Sequence, residues 1–420
     1  MSQQKKQWGA IIVMIALFAM IAFVTNLCTP MATIIKNQGP ISNVLAQIGN
    51  YGNFVAYLIM GIPAGMLISK FGYKKTALIG LAVGATGIII QWVSGLLDVE
   101  QNLGLVFAVY LIGAFIAGLC MCILNCVVNP MLNLLGGGGN SGNQLIQIGG
   151  VFNSSAAVAC YILMGALIAD ASKAKIADAT PALMIALAIF VIAFIVISFT
   201  KIEEPEQAPV ELSLIKGAMS YRHFALGALA IFLYMGIEVG VPNFVQQYLI
   251  ADGIPAGTVG MLVAVYWFMM LIGRLVGAGI GNKVSSRAMI TTVSIATLVL
   301  VLFGMYAPTD VIVSFPGVDW GKLELIWQDI PVGIFSFLLV GLCTSVMWGA
   351  IFNMAVEGLG KYTAIASGIF MTMVFGCAVM MAIQAAVADA TDYITSFWVV
   401  VFCAAYLLFY ALVGSKPTKK

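Results

Sequence analysis

Charge is scarce in this sequence: Asp, Glu, Lys and Arg make up 9% of it, against 62% hydrophobic residues. A water-soluble domain of that composition would expose large contiguous apolar patches, so the scarcity excludes one. Histidine is scarcer still, a single residue at position 223. With no nucleophile or metal constellation to accompany it, an enzyme is not expected. The eight cysteines (28, 120, 122, 126, 160, 343, 377 and 403) all fall in apolar runs, where they act as small hydrophobes. Cys120, Cys122 and Cys126 have no second ligand pair with which to hold a metal. The net charge of +2 comes from short basic clusters between apolar runs, so no nucleic-acid partner is implied.

What remains is apolar sequence in long runs. A helix crossing a bilayer needs about 20 apolar residues, and twelve such runs can be counted, near 8–35, 47–69, 76–96, 103–130, 145–169, 180–200, 222–249, 255–281, 287–306, 331–356, 363–388 and 393–414. The chain is therefore expected to be an all-α integral membrane protein of twelve transmembrane helices. The first run follows Lys5-Lys6 like a secretory signal, yet it is too long and lacks a small-residue cleavage pattern, so a retained span is expected. With twelve spans, 15 of the 19 Lys and Arg residues fall on the side of both termini. The positive-inside rule then makes both termini cytoplasmic.

The longest polar stretch on that side, 201–221, has the composition of a linker between a six-helix half over 1–200 and another over 222–420. Internal similarity supports the division. Gly65-Met-Leu-Ile-Ser-Lys-Phe-Gly-Tyr-Lys-Lys75 follows span 2, and Gly277-Ala-Gly-Ile-Gly-Asn-Lys-Val-Ser-Ser-Arg287 follows span 8 at the equivalent place. Paired halves place a substrate site at their interface near mid-membrane. Between spans 9 and 10, the segment 307–330 with Trp320 and Trp327 reads as an insertion, with a short interfacial helix as one form for it.

Glu238 is the one carboxylate inside an apolar span. An ionisable residue at that depth points to function, the alternative being a protonated packing residue. Pro242 lacks the N–H that would bond the Glu238 carbonyl, so span 7 is expected to kink or break there. Broken helices at mid-membrane line the substrate sites of transporters.

Pro63-Ala-Gly65 followed by Lys70-Phe-Gly-Tyr-Lys74 resembles the major facilitator superfamily, and more narrowly its fucose–proton symporter family of sugar transporters. The resemblance continues through Asn129-Pro130, Phe152-Asn153, Tyr234-x-Gly-x-Glu238, Trp267, Gly273-Arg274, Ile351-Phe352, Gly358-Leu-Gly-Lys361, Ala366-Ser-Gly368, Gln384 and Ala388-Asp389. It implies the two-half major facilitator fold, a sugar substrate and the inner membrane of a bacterium. Two departures stand out: where the fucose transporter has acids in spans 1 and 4, this chain has Asn26 and Asn125.

Sugars present neutral hydroxyls, which amides and aromatic faces recognise better than fixed charge. The candidate substrate-binding residues are Asn26, Asn125, Asn129, Gln147, Asn153, Asn243, Gln246, Trp267, Asn353 and Gln384. Any such amide can instead serve as a bridge between helices. Lys70, Lys74, Arg274 and Glu357 border the cytoplasmic ends, either as a charge latch on the inner gate or as solvated loop charge. An anion carrier would want a basic residue at mid-membrane, and no span offers one at its centre. An exporter of small amphipathic compounds is the alternative, but the superfamily's antiporters carry a Gly-Pro motif in span 5, and 145–169 has no proline. The expected function is secondary active import of a neutral mono- or oligosaccharide by a monomer in lipid. No cofactor is expected. Protons entering at Glu238 are the expected coupling ion, and sodium is the alternative.

Overall fold

A computed structural model describes residues 7–417, apart from 98, 137–138, 169–173, 203, 205–210, 281–283, 321 and 323. Much of the expected linker, and part of the repeated segment 277–287, therefore lie outside the described residues.

Eleven helical segments among the described residues are long and apolar enough to cross a membrane, and the longest, Ile48–Gly95, is two spans. Gly72 leaves helical geometry with φ 80° and ψ 173°, a left-handed φ that glycine adopts without strain. Span 4 (Asn102–Leu135) sets Tyr110 against Gly49 and Gly118 against Asn53, so it runs parallel to the first part. It sets Ile123 against Gly80 and Gly113 against Gln91, so it runs antiparallel to the second. The chain thus reverses at Gly72, giving twelve crossings. Glu204 caps the reversal, its carboxylate accepting the backbone N–H of Tyr73 at 2.7 Å and of Lys74 at 2.8 Å.

Spans 5 and 6 are Leu145–Leu167 and Ile176–Phe199; spans 7, 8 and 9 are Arg222–Ala251, Ala256–Ile280 and Ser286–Tyr306; spans 10, 11 and 12 are Val332–Val356, Ile365–Ala390 and Thr395–Gly414. Membrane helices approach through small residues because lipid supplies no hydrophobic drive between them. Two glycines in corresponding positions show this. A Cβ on Gly118 would lie 2.2 Å from the Asn53 carbonyl oxygen of span 2, and one on Gly341 2.1 Å from the Tyr266 carbonyl oxygen of span 8.

Spans 1 and 7 also correspond, and both break. Span 1 (Trp8–Lys36) is interrupted at Leu27, three residues before Pro30, and span 7 at Val239, three residues before Pro242. In each, the proline removes the donor for the carbonyl four residues earlier, Asn26 or Glu238. The break expected at Glu238 is present.

The insertion 307–330 is not a helix. Ile312–Asp319 (β1) pairs antiparallel with Glu324–Pro331 (β2), in a register that sets Ile312 opposite Pro331. The β-branched and aromatic residues Ile312, Val313, Phe315, Val318, Ile326 and Trp327 favour a pleated strand, and Pro316-Gly317 disfavours a helix. The hairpin rests on the start of span 8, where Gly257 meets the Val318 carbonyl and Trp320.

Candidate functional site

The orphaned carbonyl at the span 7 break has a specific replacement donor. The Tyr266 hydroxyl of span 8 donates to the Glu238 carbonyl oxygen at 2.9 Å, supplying the bond that Pro242 cannot. The same hydroxyl lies 3.1 Å from the Thr344 hydroxyl of span 10. At the side chain, the Glu238 carboxyl lies near Tyr234, whose hydroxyl donates to the Thr344 carbonyl at 3.3 Å, and is in electrostatic contact with Arg274.

Arg274 brings a basic group to the interface between the halves, although no described span carries one at its centre. Its Cα sits toward the terminus side of span 8, but the side chain turns inward and crosses between the halves. Nη1 donates to the Asn153 side-chain oxygen of span 5 at 3.2 Å and also to the Gly150 carbonyl. A long stem lets an arginine carry its charge several ångströms from its backbone, a reach that counting residues along a span does not show.

Opposite the termini, polar groups from the two halves close the molecule. Gln47 and Asn243, both fully buried, form a reciprocal amide pair: Gln47 Nε2 donates to Asn243 Oδ1 at 2.9 Å, and Asn243 Nδ2 donates to Gln47 Oε1 at 3.0 Å. Asn243 Nδ2 also reaches Thr29 Oγ1 at 3.3 Å, Gln246 Nε2 reaches Thr33 Oγ1 at 3.3 Å, and Asn50 donates to Gln47 Oε1 at 2.6 Å. Further out, the Asp389 carboxylate accepts the N–H groups of Asn43 at 2.8 Å and Val44 at 3.1 Å. Lys36 donates to Asn43 Oδ1 and to the Tyr393 hydroxyl. Sequence reasoning passed over Gln47 and Tyr266; an amide and a phenol inside apolar runs were the signals.

The remaining candidates separate by depth. Asn26, Trp267 and Gln384 are buried; Asn26 donates to the Ala22 carbonyl of its own helix at 2.8 Å, and Gln384 lies 3.4 Å from Ser396 Oγ. Trp267 stacks on Tyr161 of span 5 with ring centroids 6.4 Å apart, another contact between halves. Toward the terminus side, Asn125, Asn129, Gln147 and Asn153 are half-buried and Asn353 is exposed. Asn125 donates to the Tyr57 hydroxyl at 3.0 Å, Asn129 to the Asn125 carbonyl at 3.1 Å, and Asn153 to the Phe18 carbonyl at 2.8 Å. The site is closed on the far side and retains exposure on the side of the termini.

The four residues considered for a latch do not meet. Lys74 donates to the Ser198 and Thr200 carbonyls at 3.0 and 2.8 Å, ending span 6 of its own half, and Lys70 lies over the Phe71 ring. Glu357 is exposed; its backbone carbonyl is 2.9 Å from His223 Nε2.

A family model described as Major Facilitator Superfamily matches residues 10–380. The chain is 29% identical to the glucose/galactose transporter of Brucella abortus, over 99% of this chain and 96% of that one. It is 20% identical to the L-fucose-proton symporter of Escherichia coli, over 94% and 91%. A crystal structure of the transporter FucP in the outward conformation superposes with a TM-score of 0.69 at 19% identity, covering 96% of this chain and 97% of that one.

Proposed function

This chain belongs to the Major Facilitator Superfamily, and we propose that it imports a neutral sugar by proton symport, alternating the exposure of a central site between its two halves. The membrane is then a bacterial inner membrane with both termini and the 201–221 linker cytoplasmic, as the distribution of basic residues implies.

The observation that carries the reading is the makeup of the interface between the halves. Apart from Arg274 and, further out, Lys36 and Asp389, the described groups that meet there are neutral amides, hydroxyls and aromatic rings: Gln47, Asn243, Gln246, Thr29, Thr33 and Trp267. Amides donate and accept at once, as a sugar hydroxyl does, so the bonds that join the halves can be exchanged for bonds to a sugar at little net cost. The Arg274 guanidinium is already engaged by the Gly150 carbonyl and the Asn153 side-chain oxygen, so an anionic substrate would have to displace these partners to reach it. The same arrangement favours protons over sodium: a guanidinium charged at every relevant pH repels a metal cation at the carboxylate, whereas a proton binds covalently and neutralises it. The glucose/galactose and fucose specificities of the relatives support a monosaccharide.

The test is counterflow in proteoliposomes with neutral hexoses, hexuronic acids and cationic dyes. Saturable exchange of a neutral hexose is expected. Exchange of an acid or a dye with none of the neutral sugars refutes the proposal.

A further inference from the structure

Sugar recognition leaves Arg274 without a task, and its partners are divided between the two halves. In its own half it faces Glu238 of span 7; in the other it holds two neutral acceptors of span 5, the Gly150 carbonyl and the Asn153 side-chain oxygen. Among the described residues no direct ion pair joins Arg274 to Glu238. Room for the arm comes from Gly150, where a Cβ would lie 3.2 Å from Arg274 Cδ and 3.3 Å from Nη1. Asn153 is held for the purpose, because its amide nitrogen is spent on the Phe18 carbonyl at 2.8 Å, which turns its oxygen toward the guanidinium.

We propose that Arg274 is the coupling arm of the transporter, tying span 8 to span 5 while Glu238 is protonated and swinging back to Glu238 when the proton leaves. The inference rests on the reading of Glu238 as the proton carrier. Arginine keeps its charge at every relevant pH, so only its partner can change. A carboxylate competes for a guanidinium far better than a peptide carbonyl or an amide oxygen, through charge and a bidentate fork. A carboxylic acid has lost that advantage. When Glu238 releases its proton to water, the carboxylate withdraws the arm, the tie between the halves is lost, and the charge of Arg274 is compensated inside its own half. The titratable or charged groups facing Glu238 are Tyr234 on its own span, Arg274 and Tyr266 on span 8, and Cys377 on span 11. Arg274 is the charged one among them, and it lies on the boundary between the halves.

The test places spin labels at Ile148 of span 5 and Val276 of span 8, both exposed, and reads their separation by pulsed electron resonance across pH. In the otherwise native protein the separation should lengthen as pH rises through the titration of Glu238. Glu238→Gln should hold the short separation at every pH. Arg274→Gln should remove the pH dependence and abolish proton-driven accumulation, while sugar exchange continues. Gly150→Val, which keeps the arginine but fills the space its stem occupies, should uncouple in the same way. A wild-type pH response in Arg274→Gln or Gly150→Val overturns the inference. Undiminished accumulation by Glu238→Gln would instead overturn the reading of Glu238 on which it rests.

Discussion

Replacing Gln47 with alanine should unseal the side opposite the termini by a measurable factor. The substitution removes both bonds of the Gln47–Asn243 pair and the acceptor of the Asn50 amide, three bonds of 2.6 to 3.0 Å among fully buried groups. Polar bonds between membrane helices average about 0.6 kcal/mol, and groups left unpaired in a dry interior cost about 1–3 kcal/mol each. Asn243 keeps weaker contacts to Thr29 at 3.3 Å and Gln247 at 3.5 Å, which moderates the penalty. In the opened state water meets all these groups, so nearly the whole loss falls on the closed state. A net shift of about 2 kcal/mol is the result, roughly 30-fold in the equilibrium between closed and open. A single cysteine at Ile34, buried in the closed state, reports it in a background cleared of native cysteines. With an impermeant maleimide at rates well below closure, the labelling rate follows the open population and should rise about 30-fold. Asn243→Ala should do the same, and the double variant should add little, because the two changes remove one shared pair. A labelling rate unchanged in Gln47→Ala, in protein that is folded and inserted, would refute the reasoning.

Glu238→Gln should lose accumulation against a sugar gradient at least tenfold while retaining counterflow, measured at matched expression; equal accumulation returns the residue to a packing role. Tyr266→Phe leaves the Glu238 carbonyl without its donor and should cost about 1–3 kcal/mol, seen as a melting temperature several degrees lower in detergent. At the far surface, the Thr395 hydroxyl at 2.5 Å and its backbone N–H at 2.8 Å hold the Asp392 carboxyl below the usual carboxylate range. The stabilisation is therefore complete above the unfolded carboxyl value near pH 4 and disappears as pH falls through the lower folded value, so Asp392→Asn should flatten the acid side of the melting profile below about pH 4. A cysteine at Lys216 should resist impermeant reagents in intact cells, and its ready modification would invert the proposed orientation.

Twelve crossings, the two-half fold and the break in span 7 were legible in the sequence for one reason. Each follows from a local rule about what a bilayer tolerates: run length, the sidedness of basic residues, and a proline that leaves a carbonyl unpaired. The hairpin over 312–331 was not legible, because a short apolar segment with aromatic residues at a membrane edge suits an interfacial helix as well as a strand. Which residues meet across the halves was not legible at all. Asn26 has the composition of a ligand yet bonds its own helix, while Gln47, overlooked at the start of span 2, pairs with a residue 196 positions away. Arg274 shows the physical limit most clearly. Its sequence position places the backbone near the membrane's edge, but only the packing of span 8 against span 5, with an empty Cβ position at Gly150, decides that its charge lies between the halves beside Glu238.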